Sequence, residues 1–169
     1  METTKIVIFC DGGARGNPGP AGVGVVIRQL DKETKRPIEI SKFIGTATNN
    51  QAEYRAVIEA LKWIKEKYPS NRPTLVPGTR GKVEDLEIEC FLDSQLIVEQ
   101  LNLRYKIKNE GLKPLFNQVR ELIMSLDGKV TFAHILREKN KEADKLVNQA
   151  LDKEVIRQRD KKDKDKEGK

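Results

Sequence analysis

Two apolar runs in this chain each stop at an aspartate, and two helical patterns each open beside a carboxylate. Lys5-Ile-Val-Ile-Phe-Cys10 ends at Asp11, which opens the turn Asp11-Gly-Gly-Ala-Arg-Gly-Asn-Pro-Gly-Pro-Ala-Gly22. Leu86–Leu92 ends at Asp93, which leads Asp93-Ser-Gln95. Glu53 lies in Thr48-Asn-Asn-Gln-Ala-Glu-Tyr54, and Asp144 in Arg137-Glu-Lys-Asn-Lys-Glu-Ala-Asp144. Strand ends and helix starts are rigid platforms. Acids gathered on them repel one another and lose hydration, so the arrangement makes sense if cations neutralise it. Hard oxygen donors in a chain with one histidine suit Mg²⁺, with Mn²⁺ as the alternative, rather than zinc. Two such ions clamp the attacking and leaving oxygens of a phosphoryl transfer.

The pattern around these acids reads as an α/β chain. Lys5–Cys10, Gly22–Arg28 and Pro37–Ile44 are strands that form an antiparallel meander, with a polar hairpin tip at Gln29–Arg36. Thr48 to about Tyr68 is a helix, since Tyr54, Val57, Ile58, Leu61 and Ile64 recur at helical spacing. Pro69 and Pro73 end it. Leu86–Leu92 is a fourth strand, reached through a helix and therefore parallel to the first. Helices at Ser94–Asn102 and Leu112–Leu126, a fifth strand at Val130–Ile135 and a helix from Asn140 to about Arg157 complete the order. Residues 1–151 make one domain. Residues 152–169 form a mixed-charge tail, either an extension of the last helix or disordered.

Charge narrows the partner. The net charge is +6, and the tail holds eight Lys/Arg against six Asp/Glu, so the body remains basic around its acids. A basic body with an acidic pocket fits a polyphosphate ligand whose cleavage needs metals. No run of apolar residues approaches the ~20 needed to cross a membrane, and the first residues lead straight into a strand. A cytoplasmic monomer is the expectation. Cys10 and Cys90 lie inside strand-like runs and read as reduced core thiols. The loop Pro69–Asp85 carries Arg72, Arg80 and Lys82, but it follows the far end of the first helix, ~20 Å from Glu53, and reads as peripheral.

The four motifs, in this order over residues 5 to 151, resemble type 1 ribonuclease H. The resemblance implies the ribonuclease H-like fold: a five-stranded mixed sheet, three antiparallel strands then two parallel, packed by helices. It also implies that the first and fourth strands are neighbours, so that Asp11 and Asp93 end side by side, where open α/β sheets bind ligands. The implied activity is endonucleolytic cleavage of the RNA strand of RNA–DNA hybrids by two metal ions, leaving 5′-phosphate and 3′-hydroxyl ends. Asp11 would bridge the two ions, Glu53 and Asp93 would each complete one shell, and Asp144 would be the outer ligand. Gly12, Gly13 and Gly16 would let backbone approach RNA 2′-hydroxyls, although they also serve a plain hairpin turn. Asn17 would bond a base edge or sugar. Thr48, Asn49 and Asn50 suit a helix cap. The resemblance adds a DNA phosphate contact for Thr48 and Asn49, and minor-groove contacts for Asn49, Asn50 and Gln95.

The chain departs from the best-known bacterial pattern twice. A basic, Trp-rich protrusion is replaced by the short Leu103-Arg-Tyr-Lys-Ile-Lys-Asn-Glu-Gly111, and the single tryptophan, Trp63, sits on the first helix. The chain therefore looks like the handle-less archaeal-type forms, with Tyr105, Lys106 and Lys108 left to touch a backbone. The single histidine, His134, falls in Val130-Thr-Phe-Ala-His-Ile135, on the strand rather than in the mobile loop where the bacterial pattern places it; counting back from Asp144 without gaps aligns it with that pattern's histidine instead, so it stays a candidate auxiliary residue. Arg137 and Glu138 stand near the place where that histidine works. Two other readings compete. A non-catalytic RNA- or hybrid-binding module on this fold has no need of four acids. A DNA-directed nuclease of the superfamily shares the acids but not Thr48–Glu53 or the glycine-rich turn.

Overall fold

The computed structural model describes residues 3–30, 36–69 and 85–167. Five strands, β1 Thr3–Ala14, β2 Gly19–Gln29, β3 Ile38–Ala47, β4 Asp85–Leu92 and β5 Gly128–His134, lie in the order β3-β2-β1-β4-β5. β1–β2 and β2–β3 pair antiparallel; β1–β4 and β4–β5 pair parallel. This is the mixed sheet expected from the sequence. Helices α1 Asn49–Lys67, α2 Gln95–Leu101, α3 Lys113–Ser125 and α4 Lys141–Glu167 pack on it, and a 3-10 turn at Arg137–Lys139 precedes α4. No helix among the described residues is long and apolar enough to cross a membrane. The greater part of the Pro69–Asp85 loop and of the hairpin tip lies outside the described residues.

One sheet face carries the main core. Ile6, Ile8 and Cys10 alternate along β1, as do Leu86, Ile88, Cys90 and Leu92 along β4, and all are buried beneath α1 and α3. α1 answers with Tyr54, Val57, Leu61 and Ile64, none of them measurably exposed. Its start is set by a capping box: the Thr48 hydroxyl accepts from Gln51 N, and the Gln51 side chain accepts from Thr48 N at 2.9 Å. Both cysteines are free and buried, as expected, and burial pushes their thiols up, Cys90 to about 12.

Several element bounds differ from the sequence reading: β2 begins at Gly19 rather than Gly22, β3 runs on to Ala47 rather than Ile44, and β1 and α4 are longer. β1 does not stop at Cys10. It continues through Ala14, pairing Asp11, Gly12, Gly13 and Ala14 with Gly24, Val23, Gly22 and Ala21. Small residues on both strands let the ladder run on, and the reversal shrinks to Arg15–Pro18, closed by Arg15 N donating to Pro20 O at 2.8 Å. α4 passes Arg157 and reaches Glu167, the helix extension that was one of the two readings of the charged tail. Pairs such as Arg157 with Glu154, three residues apart at 2.8 Å, support the added turns.

Two glycines fix how closely α1 and α4 approach the sheet, one on each face. A Cβ on Gly12 would stand 2.1 Å from the Ala52 carbonyl carbon, and one on Gly24 would stand 2.0 Å from the Ala143 carbonyl oxygen. Neither backbone can yield without moving its helix. Gly24→Ala should therefore cost about 3 kcal/mol as α4 is forced outward. Gly45 has φ +81° and open space around its Cα, so Gly45→Ala should cost only about 1 kcal/mol of left-handed strain. Denaturant melts of the two variants check the ranking; equal losses would show that α4 does not bear on Gly24.

Candidate active site

Parallel pairing sets Cys10 of β1 opposite Leu92 of β4, so Asp11 and Asp93 emerge side by side at the same end of the sheet. Glu53 comes to them from the second turn of α1, which Gly12 allows to sit against β1. One carboxylate oxygen from each of Asp11, Glu53 and Asp93 lies within 4.8 Å of the other two. Asp11 is 3% exposed and Glu53 6%. Asp144, in the first turn of α4, stands at the half-exposed edge of this triad, close enough for its charge to act on Asp11.

The electrostatics are those of an uncompensated cluster. Asp11 is pushed up to about 7, first by burial and then by the charges of Asp93 and Asp144. Arg137 and the Gly12 backbone N–H oppose the shift. Burial, then Asp11 and Asp93, raise Glu53 well above the usual carboxylate range. Arg137 offers partial relief: its Nε lies 3.9 Å from Asp93 Oδ2, yet its side chain is 81% exposed. Glu53 Oε2 and Asp93 Oδ2 are buried acceptors without a hydrogen-bond donor. Buried acceptors are nearly always satisfied in native proteins. Three converging carboxylates with two empty acceptors fit hard divalent cations.

Asn140 is the residue that the sequence reading did not single out. It is 1% exposed, and its Nδ2 donates to the Cys10 carbonyl at 2.8 Å. Its own carbonyl accepts from Asp144 N at 3.1 Å, the first helical bond of α4. Asn140 thus ties the helix that carries Asp144 to the strand that carries Asp11, one residue before that acid. Its place four residues ahead of Asp144 was the available signal. It read only as a helix start.

The other sequence candidates divide. Asn17 Oδ1 accepts from Asn49 N at 3.0 Å, and Asn49 Oδ1 accepts from Ala14 N at 2.9 Å. These two asparagines lash the β1–β2 turn to the start of α1. Thr48 caps that helix. Gly12 and Gly13 lie in β1 rather than in a turn, and their missing side chains make room for α1 and for Val147 of α4. Gly16, at φ +93°, is the one that shapes the reversal. Asn50 lines a groove of about 520 Å³ with Arg104, Tyr105, Lys106 and Lys108, while Gln95 is exposed at the start of α2. His134 lies on β5, as expected, but it is the last residue of the strand and exposed, with Nε2 3.2 Å from the Asp93 carbonyl oxygen. Glu138 lines a neighbouring cleft with Val7, Phe9 and Arg28.

Comparison with known proteins gives a consistent result. The RNase H family model matches residues 3–152. The bifunctional protein Rv2228c of Mycobacterium tuberculosis is 36% identical over 148 residues, covering 88% of this chain and 36% of that protein. Ribonuclease HI of Halobacterium salinarum is 34% identical over 148 residues, covering 88% of this chain and 65% of that one. This chain therefore spans from about a third to just under two thirds of the length of these curated relatives. The crystal structure of LC11-RNase H1 in complex with an RNA/DNA hybrid superposes with a TM-score of 0.74 at 42% identity, covering 89% of this chain and 99% of that one. LC11-RNase H1 was isolated from compost by a metagenomic approach.

The raised Asp11 has a consequence for stability. In the unfolded chain this acid ionises near pH 4; in the fold it keeps its proton to about 7. Folding is penalised increasingly as pH rises between those values, and the penalty is constant above them. In chelator, Asp11→Asn should therefore gain stability relative to the parent from pH 4 to about 7 and gain no more beyond. Saturating divalent cation should reverse the order, because it binds the parent more tightly. Urea midpoints across pH, with and without metal, measure both effects. A pH-independent difference would mean that Asp11 is not strained by its neighbours.

Proposed function

The chain belongs to the RNase H family, and from that premise we propose that it is an endoribonuclease that hydrolyses the RNA strand of RNA–DNA hybrids. The observation that carries the reading is the buried triad Asp11, Glu53 and Asp93, with its two unsatisfied acceptors and Asp144 at its edge. These four carboxylates would hold two divalent cations, Mg²⁺ or alternatively Mn²⁺. When bound, the cations supply an activated water at neutral pH and charge stabilisation for the leaving oxygen.

The chain's own residues position and neutralise. Asp11, held between β2 and β4, is central because Glu53 reaches it from one face of the sheet and Asp144 from the other. A water oxygen would bond to phosphorus as the water gives up one proton, the P–O3′ bond would break, and the departing 3′-oxygen would take up a proton. The products are a 5′-phosphate and a 3′-hydroxyl. Thr48 and Asn49, at the positive end of α1, suit a phosphate of the DNA strand. Asn17, Asn50 and Gln95 flank the same end and suit minor-groove edges. The groove with Tyr105, Lys106 and Lys108 offers the duplex backbone two cations and a ring, in place of a long basic handle.

His134 is fixed on the Asp93 carbonyl and exposed, so its removal should cost little stability, contrary to what a packed strand residue would lose. A general acid typically contributes ~10²–10⁴-fold. We expect His134→Ala to lower kcat by less than ~10-fold, because the ring is engaged with the Asp93 backbone carbonyl at the end of β5. A hundredfold loss with disappearance of a titration near neutral pH would make His134 the proton donor.

Asp11→Asn keeps the shape of the side chain but removes the central charge. It should abolish cleavage of labelled hybrid in Mg²⁺ while hybrid binding persists. The parent should cut hybrid and leave duplex DNA intact. Robust cleavage by Asp11→Asn at saturating Mg²⁺, or a parent that binds hybrid without cutting it, would defeat the proposal.

A further inference from the structure

α4 enters the molecule at the acidic cluster and leaves it past the β1–β2 turn. Asn140 bonds Cys10, and Ala143 lies against Gly24, the partner of Asp11. Val147 reaches Gly13 and Gly22, Ala150 reaches Gly22, and Asp152 pairs with Arg15 of the turn at 2.6 Å. The sheet ends there. The helix continues to Glu167, so about 22 Å of it projects beyond the turn, at 1.5 Å per residue. It projects at the same end of the sheet where the triad opens and where Asn17 and Asn49 join the turn to α1.

The projecting segment is nearly balanced in net charge, but the helix sorts its charges into stripes. At about 100° per residue, Lys162 lies five full turns beyond Asp144 on the same face, and Arg159 lies within roughly 60° of it. Asp160 and Asp163 fall roughly 100° or more away, and Asp165 sits on the flank opposite Arg159. Arg159 and Lys162 are exposed, and among the described residues neither has an ion-pair partner. The cation on the core-side stripe is already used: Arg157 is bound through two nitrogens to both oxygens of Glu154, at 2.8 and 2.9 Å.

We infer that the projecting part of α4 is a phosphate-contacting arm, whose Arg159 and Lys162 meet the sugar–phosphate backbone of the hybrid beyond the cut site. The inference rests on the proposed hybrid substrate and extends its footprint. The occupant follows from charge and position. The stripe is basic and unpaired, it continues the face that presents Asp144, and it rises past the end of the sheet at which the triad opens. The arm contributes reach and affinity, not chemistry. It offsets part of what a chain with a short α2–α3 connection lacks.

The test compares two double variants on a hybrid of about 20 base pairs, long enough to span the ~27 Å from Asp144 to Lys162. Arg159→Gln/Lys162→Gln removes the proposed stripe. Lys153→Gln/Lys164→Gln removes the same charge from the face opposite Asp144. Binding is read in chelator by fluorescence anisotropy over a salt series, and cleavage at saturating hybrid and Mg²⁺. Each phosphate contact contributes ~0.9 to the slope of log affinity against log salt for B-DNA, taken here as a guide for the hybrid. The stripe variant should lose about 1–2 from that slope and bind about three- to tenfold more weakly at low salt, with unchanged kcat. The opposite-face variant should keep the parent slope. Equal slopes in all three proteins, or equal losses in both variants, overturn the arm while leaving cleavage by the parent to support the nuclease reading. A parent that cannot cut hybrid defeats that reading instead, whatever the slopes.

Discussion

Repulsion among Asp11, Glu53 and Asp93 is the constraint around which the rest of this molecule is arranged. Three carboxylates with oxygens inside 4.8 Å, two of them almost fully buried, oppose folding whenever they are ionised. The surrounding structure does little to lessen the repulsion, and Arg137 is mostly in water. It restrains the backbone instead. α1 is drawn onto β1 because Gly12 has no side chain, and α4 is drawn onto β2 because Gly24 has none. The parallel β1–β4 ladder leaves Asp11 and Asp93 no freedom to move apart. Strain held in this way is a common property of sites prepared for a ligand of opposite charge.

The restraint is reached by long-range contacts that join distant parts of the chain. Asn140 and Cys10 are 130 residues apart, and Ser41 of β3 bonds the Leu146 carbonyl of α4, 105 residues away, at 2.7 Å. Each spans one side of the α4 packing, so the position of Asp144 is determined from two directions. Asn17 and Asn49 do the same for α1 at the other face. Their side chains are spent on backbone groups of the turn and of the helix start. The substrate-facing role inferred from sequence and this structural role are compatible, because each asparagine also has a side-chain amide group that these bonds do not use.

Much of the fold was legible because its signals are local. Alternation in β1 and β4 and the 3.6-residue spacing in α1 mark elements that bury one face, and they appear where the sequence places them. The four acids stood out because each ends or begins such an element. What escaped was decided by partners far along the chain. The extension of β1 through Gly12 and Gly13 depends on Val23 and Gly22 across the ladder, and two adjacent glycines on their own read as a turn. Asn140 was hidden because a buried hydrogen bond to Cys10 leaves no periodic trace. His134 was placed on the right strand, but its exposure reflects the position of β5 at the sheet edge and the end of the strand, which counting by twos does not reveal.

The C-terminal segment shows the same limit from the opposite side. As composition, eight basic and six acidic residues nearly cancel, and a mixed-charge run reads as solvated and inert. Once the chain is helical, spacing rather than sum decides what a partner meets. Glu154 fixes Arg157, Arg15 takes Asp152, and Arg159 and Lys162 remain on the face that Asp144 defines. A near-neutral segment can thus present a basic edge toward one partner and an acidic edge toward solvent. Net charge governs long-range attraction beyond a Debye length of ~8–10 Å, and the stripe governs contact within it. On the proposed hybrid-cleaving reading, the near-balanced sum leaves the long-range field to the body of the protein, and the stripe acts only at contact distance.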